Sequence, residues 1–241
     1  MSTLSRDINY SGYRYYTQIA MAFVGLLLTA NVIGEKPLLF GPIILPAGLL
    51  LFPITYLLGD ALTEVYGFSQ SRRVIWMGMA CNLFMALFCQ LSINLPALDS
   101  WTKSVAYAEI LGTSSRLMAI SVLTYFVGEF VNAYLVAKLK IRLQGRFFWA
   151  RALLGSWIGE GIETSLFIPL AFWGSMPLEQ LWTLAAHFYS FKVLYALAAM
   201  PLLNYLVKFL KQQEKLDVYD KGTNFNPFSF GRTQRSAPTL F

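Results

Sequence analysis

Six apolar runs, each long enough to cross a bilayer, constrain this chain more than any other feature. A helix needs roughly 20 apolar residues to cover a hydrocarbon core of about 30 Å. Tyr15–Gly34, Pro37–Gly59 and Val74–Leu98 carry no charge. Leu117–Ala137 carries only Glu129, Ala152–Leu178 carries Glu160 and Glu163, and Leu181–Val207 carries only Lys192. None alternates strictly in the manner of a barrel strand. The pattern predicts an all-α polytopic membrane protein with six transmembrane helices. It divides the chain into an N-terminal segment 1–14, a six-helix domain 15–207 and a polar tail 208–241, whose last ten residues read as disordered. The first run is long for a signal-peptide core, and no small-residue cleavage pattern follows it, so it reads as a retained helix.

Charge agrees with this reading. Charged residues make up 13% of the chain, about half the share in a soluble domain. That density cannot cover a water-facing surface, which excludes a disordered chain and an ordinary cytosolic enzyme. The net charge of +6 is a topology signal. Basic residues crowd the N-terminal segment, the stretch after the second run (Arg72, Arg73), the connection between the fourth and fifth runs (Lys138, Lys140, Arg142, Arg146, Arg151) and the tail. Only Lys36, Lys103 and Arg116 lie on the opposite side. By the positive-inside rule both termini are cytoplasmic. Membrane lipid is the surrounding partner, and no nucleic-acid partner is expected.

Several chemistries are missing. Cys81 and Cys89 lie inside an apolar run and form no CxxC pair, and His187 is the single histidine. No metal site or cofactor is expected. The chain has no GxxxxGK[ST] loop, HExxH or GxSxG, so neither an ATP motor nor an enzyme is read from it.

The informative residues are polar groups in the wrong solvent. A charge at the bilayer centre costs at least about 2.5–3.5 kcal/mol on the insertion scale. Glu160 and Glu163, spaced i, i+3, share a helix face with Ser156 and Phe167; Trp157 and Thr164 flank it. Glu129 and Asn132 repeat the spacing, with Tyr125 one turn earlier. Lys192 lies near mid-membrane, too deep to snorkel. One reading is a structural ion pair between Lys192 and Glu160, Glu163 or Glu129. The other is a midplane polar pocket in which three carboxylates outnumber one ammonium, so that a ligand or a proton must neutralise the rest. Gly155 and Gly159 form a GxxxG pair suited to close helix packing.

The segment from Gly59 to Gly67 reads as a cytoplasmic loop. Asp60 and Glu64 are one turn apart, and Arg72 and Arg73 follow. Its functional reading is a gate of carboxylate–guanidinium pairs; its simpler reading is a solvated turn. Pro37, Pro42, Pro46 and Pro53 predict an irregular backbone beside a cavity, at the start and middle of the second helix.

Four stretches then resemble a known family. GDALTEVYGFSQSRR at Gly59–Arg73, GEFVNAYLVAKLKIR at Gly128–Arg142, GEGIETSLFIPLAFWG at Gly159–Gly174 and YDKGTNFNPF at Tyr219–Phe228 are similar to the signatures of the queuosine precursor transporters, the vitamin uptake transporter family. The resemblance runs from about Tyr13 to Phe228. It implies a bacterial inner-membrane protein similar in fold to the substrate-binding components of energy-coupling-factor transporters. It also implies uptake of 7-deazaguanines (7-cyano-7-deazaguanine, its aminomethyl form, or queuine) for tRNA modification. The family usually has Asp where this chain has Glu163, and many members have Glu where it has Ala196.

The chemistry fits. A guanine-like edge offers a ring N–H beside an exocyclic amine, and one carboxylate accepts both. Glu163 or Glu160 is expected at that edge, with Asn132, Lys192 and Glu129 as polar support. Trp157, Phe167 or Tyr125 would stack on the base. The alternatives are an interaction protein whose buried ions only orient helices, and a transporter of another purine-like or vitamin-like solute. A homodimer and a separate ATPase module are both compatible with the chain. With both termini cytoplasmic, a reporter active only in the cytoplasm should be active when fused after Phe241. Activity of an externally folding reporter at that point would refute the six-span topology.

Overall fold

The computed structural model describes residues 13–34, 36–40, 43–112, 115–174 and 177–229. Helix α1 (Tyr16–Ile33) leads to a short antiparallel hairpin, β1 (Pro37–Phe40) and β2 (Ile43–Pro46), and then to one turn of 3-10 helix at Ala47–Leu50. Six more helices follow: α2 (Phe52–Tyr66), α3 (Phe68–Asn94), the short α4 (Ser104–Leu111), α5 (Ser115–Arg142), α6 (Phe148–Phe172) and α7 (Leu178–Glu214). Among the described residues, five spans are long and apolar enough to cross a membrane: α1, Ala47–Tyr66, α3, Ala119–Arg142 within α5, and α7. The protein is a multi-pass, predominantly helical membrane protein.

The second span is where the sequence reading needs correction. Its helix does not run from Pro37 to Gly59. Pro37 and Pro46, which lack an N–H for a helix, stand paired at the ends of a hairpin, and a 3-10 turn follows. Pro53 then sits in the first turn of α2, where that N–H is not needed. The helix is thereby displaced, and the segment expected as a loop from Gly59 to Gly67 is its second half. α2 is also the central helix. Twelve of its fifteen residues are buried, including Asp60 and Glu64. α7 likewise continues past Val207 to Glu214.

α3 and α7 face outward. α3 exposes Met77, Phe84, Leu87, Phe88 and Leu91, and α7 exposes Leu194, Leu197, Leu202 and Tyr205. These surfaces are apolar, as contact with lipid requires. Inside, α5 and α6 pair antiparallel through glycines. A Cβ on Gly128 would lie 2.7 Å from the Gly159 carbonyl oxygen, and one on Gly159 would lie 2.6 Å from that of Gly128. One rung further, a Cβ on Gly155 would overlap the Asn132 side-chain oxygen. The Gly155/Gly159 pair therefore packs against α5.

One end of the bundle is tied by the tail. The α2–α3 elbow turns at Gly67, whose φ of +84° suits glycine. The first N–H of α3, on Phe68, is taken by Asp220, 2.9 Å away. Burial pushes the Asp220 carboxyl above its usual range, against the opposing effect of that N–H and of Thr223. Arg72 donates to the carbonyls of Asn224 and Asn226, and Trp76 to that of Pro227. Phe225 packs against Phe68 and Tyr134 beneath the Lys138 ammonium. At the same end Glu214 accepts the N–H groups of Arg14 and Tyr15, which open α1. The last ten residues, expected to be disordered, lie outside the described ones.

The glycine contact gives a direct test. Gly128→Ala must push two backbones apart and should cost about 1–3 kcal/mol, seen as a lower melting temperature in detergent. Gly25→Ala, with nothing within 4 Å of the new Cβ, should be neutral or slightly stabilising.

Candidate functional site

Polar residues on α2 and α5 meet in order along the bundle. Tyr125 donates to Thr55 at 3.0 Å. One turn on, Glu129 lies over Gly59, where an added Cβ would overlap its carboxylate. Asn132 donates to Asp60 at 2.9 Å. Lys140 then reaches the backbone carbonyl of Glu64. The result is a polar seam through an otherwise apolar core.

α6 and α7 close the seam from the other side. Lys192 donates to Glu163 at 2.8 Å and lies 3.4 Å from the Thr164 hydroxyl. This is the carboxylate pairing expected of a buried ammonium, with Glu163 as the partner. Tyr56 donates to the same Glu163 oxygen at 2.9 Å. Ser156 donates to Asp60 at 3.3 Å. Glu129, Asn132, Glu160, Glu163 and Lys192 are all buried, as is Asp60. The cluster therefore holds four carboxyl groups and one ammonium.

Among the described residues, five buried polar atoms have no partner: both carboxylate oxygens of Glu129, one oxygen of Glu160, the Asn132 side-chain oxygen and the Trp157 indole N–H. Leaving such a group unsatisfied costs about 1–3 kcal/mol, and more when it is charged. Four of the five are oxygens. The arrangement suits a ligand rich in N–H donors that offers at least one acceptor to the indole. Trp157 thus presents a donor as well as a ring face. Tyr125 meets Tyr56 edge-on at 5.5 Å, and a small cleft lined by Asn31, Phe52, Asn82 and Tyr125 adjoins it. Phe167 lies apart, edge-on to Phe172 and against the separate apolar cluster that includes Leu45 and Leu181.

The expected gate residues separate. Asp60 belongs to the polar cluster, because the displaced α2 carries it into the bundle. Glu64 is fully buried, but its partners are not Arg72 and Arg73. Arg151 grips it with two nitrogens, at 2.7 and 3.1 Å, and Lys211 lies 2.6 Å away. Lys140 stands 3.7 Å from Glu64 and also bonds Asp217, which Lys211 meets at 2.9 Å. Arg72 is held by tail carbonyls, and Arg73 is exposed. Sequence reasoning treated Lys140 and Arg151 as loop charges. Their helices begin or continue further than the apolar runs, which turns both side chains inward. Arg151 also donates to the carbonyls of Arg146 and Gly145, bracing the α5–α6 turn. Tyr56 and Thr55 gave no signal, since each is ordinary in an apolar run.

Residues 46–206 match a family model described as "Putative vitamin uptake transporter". The chain belongs to the vitamin uptake transporter family. It is a membrane transporter, not an enzyme. The chain is also 22% identical over 157 residues to a Bacillus subtilis (strain 168) protein named "Probable queuosine precursor transporter", covering 65% of this chain and 69% of that protein. No solved structure matches the chain. The matched family region holds every polar residue of the buried cluster.

Removing one partner of a buried ion pair leaves an uncompensated charge, at a cost of about 3–5 kcal/mol. Arg151→Met should lower the melting temperature strongly. The double variant Glu64→Gln/Arg151→Met should lose less than the sum of its two single changes. Simple additivity would mean the two groups do not act together.

Proposed function

We propose that this transporter imports queuosine precursors, the 7-deazaguanine bases, across the bacterial inner membrane, with both termini cytoplasmic. The observation that carries this reading is the set of unpartnered acceptors on Glu129, Glu160 and Asn132, beside an unpartnered donor on Trp157. A guanine-like edge has the matching pattern: adjacent N–H and NH2 donors, with a carbonyl next to them. The name of the Bacillus subtilis relative supports the same class of solute.

In this reading Glu160 accepts from the donor edge, Asn132 accepts beside it and Trp157 donates to the base. Glu163 carries less of the recognition than its place in the family pattern implies, because Lys192 and Tyr56 already occupy one of its oxygens. It anchors α2, α6 and α7 around the ligand. α6 serves as the sixth span. Its 25 residues extend about 37 Å, and Arg151, Glu160 and Glu163 are buried against neighbouring helices. The substrate-binding components of energy-coupling-factor transporters remain the architecture it would share. Glu64 with Arg151, Lys140 and Lys211 forms the inner gate, at the end of the seam nearest the tail.

The test is uptake of labelled 7-deazaguanines by cells lacking both queuosine synthesis and this gene. Complementation with the parent should restore uptake. Glu160→Gln should reduce it about tenfold or more, the effect of losing a charge-assisted hydrogen bond, with protein level in the membrane unchanged. No uptake by the parent would defeat the proposal.

A further inference from the structure

We infer that Glu129 makes the site selective for a ligand that carries a positive charge outside its donor edge. The inference rests on the uptake reading above and adds a charge requirement to it.

Lys192, the only ammonium in the cluster, is committed to Glu163 and Thr164. Asp60 already accepts from Asn132 and Ser156. Two carboxyl groups are then left with unpartnered oxygens, Glu160 and Glu129. A neutral base with adjacent N–H and NH2 groups uses one carboxylate, because the two donors lie side by side. It leaves the other to be neutralised by a proton or by a positive charge on the ligand itself.

Glu129 is the one left over. It is fully buried, and neither of its oxygens has a partner. It stands on α5 beside Gly128, whose contact with Gly159 brings α5 and α6 to backbone distance next to Glu160. Among the described residues, the charged groups set against it are the carboxyls of Asp60, Glu160 and Glu163, and none is a cation. α2 offers bare Gly59 together with Tyr56 and Asp60, α5 offers Tyr125 and Asn132, and α6 offers Glu160 and Glu163. An ammonium placed there would gain a charge-assisted hydrogen bond in a medium of low dielectric. A nitrile placed there would turn its own lone pair toward carboxylate oxygens. Among 7-deazaguanines, an aminomethyl substituent meets this requirement and a cyano substituent does not.

The experiment compares uptake of the labelled aminomethyl and cyano bases at equal concentration in complemented cells. The parent should favour the aminomethyl base by about tenfold or more, and Glu129→Gln should erase most of that ratio. Gly59→Ala, which keeps the carboxylate but displaces it, should lower the ratio as well. If the parent takes up both bases equally or prefers the cyano base, the charge inference is overturned while the uptake reading stands. If Glu129→Gln lowers both uptakes by one common factor, Glu129 is structural and the inference fails. Absence of uptake for both bases overturns the uptake reading itself. The parent comparison decides the matter even if the variants do not insert.

Discussion

Backbone contact between α5 and α6 at Gly128 and Gly159 sets the geometry on which the interior depends. With no side chain on either residue, the two helices approach until each carbonyl oxygen sits where the other's Cβ would be. The same device recurs around the polar cluster. Gly59 makes room for the Glu129 carboxylate, and Gly155 for the Asn132 amide. Carboxyl and amide groups occupy a membrane interior here because glycine on the facing helix leaves the space. The cost of desolvating them is offset in part by partners: Tyr56 and Lys192 on Glu163, Asn132 and Ser156 on Asp60. Where no partner is supplied, on Glu129, Glu160 and Asn132, buried acceptors stay open.

The two charged regions of the seam have different characters. The one around Glu129 and Glu160 has more unpartnered acceptors than donors. The one around Glu64 has three cationic groups, Arg151, Lys140 and Lys211, shared between Glu64 and Asp217. Asp60 and Glu64 stand four positions apart on α2, a rise of about 6 Å. The acceptor-rich region and the cation-rich one are therefore close neighbours along α2.

Much of this was legible in the sequence, and the rest was hidden for physical reasons. The apolar runs located α1, α3, α5 and α7 because lipid-facing helices must be apolar over a fixed length. The i, i+3 pairs on α5 and α6 pointed to the cluster because charge has no other reason to be there. The Lys192 pairing followed from the cost of a lone buried ammonium. The start of α2 was misread because a run of 23 apolar residues, Pro37–Gly59, gives the same hydropathy whether it is helix or hairpin; only its prolines distinguish the two. Once α2 shifted, Asp60 moved from an exposed turn into the site. Arg151 and Lys140 were concealed by the topology rule itself, which counts basic residues without asking which way they point. The partners of the tail motif at Tyr219–Phe228 lie some 150 residues away, beyond any local pattern.

That distance bears on how the protein is made. The first N–H of α3 is capped by Asp220, and Arg72 is satisfied by carbonyls at Asn224 and Asn226. The α2–α3 elbow is therefore complete only after α7 and the segment beyond it have been synthesised. Until then the early helices sit in the bilayer with an open helix start and an uncommitted guanidinium at their basic end. The order of translation thus makes the tail the last fastening of a bundle whose other helices are already inserted, and a chain stopped short of it would assemble with that end unsealed.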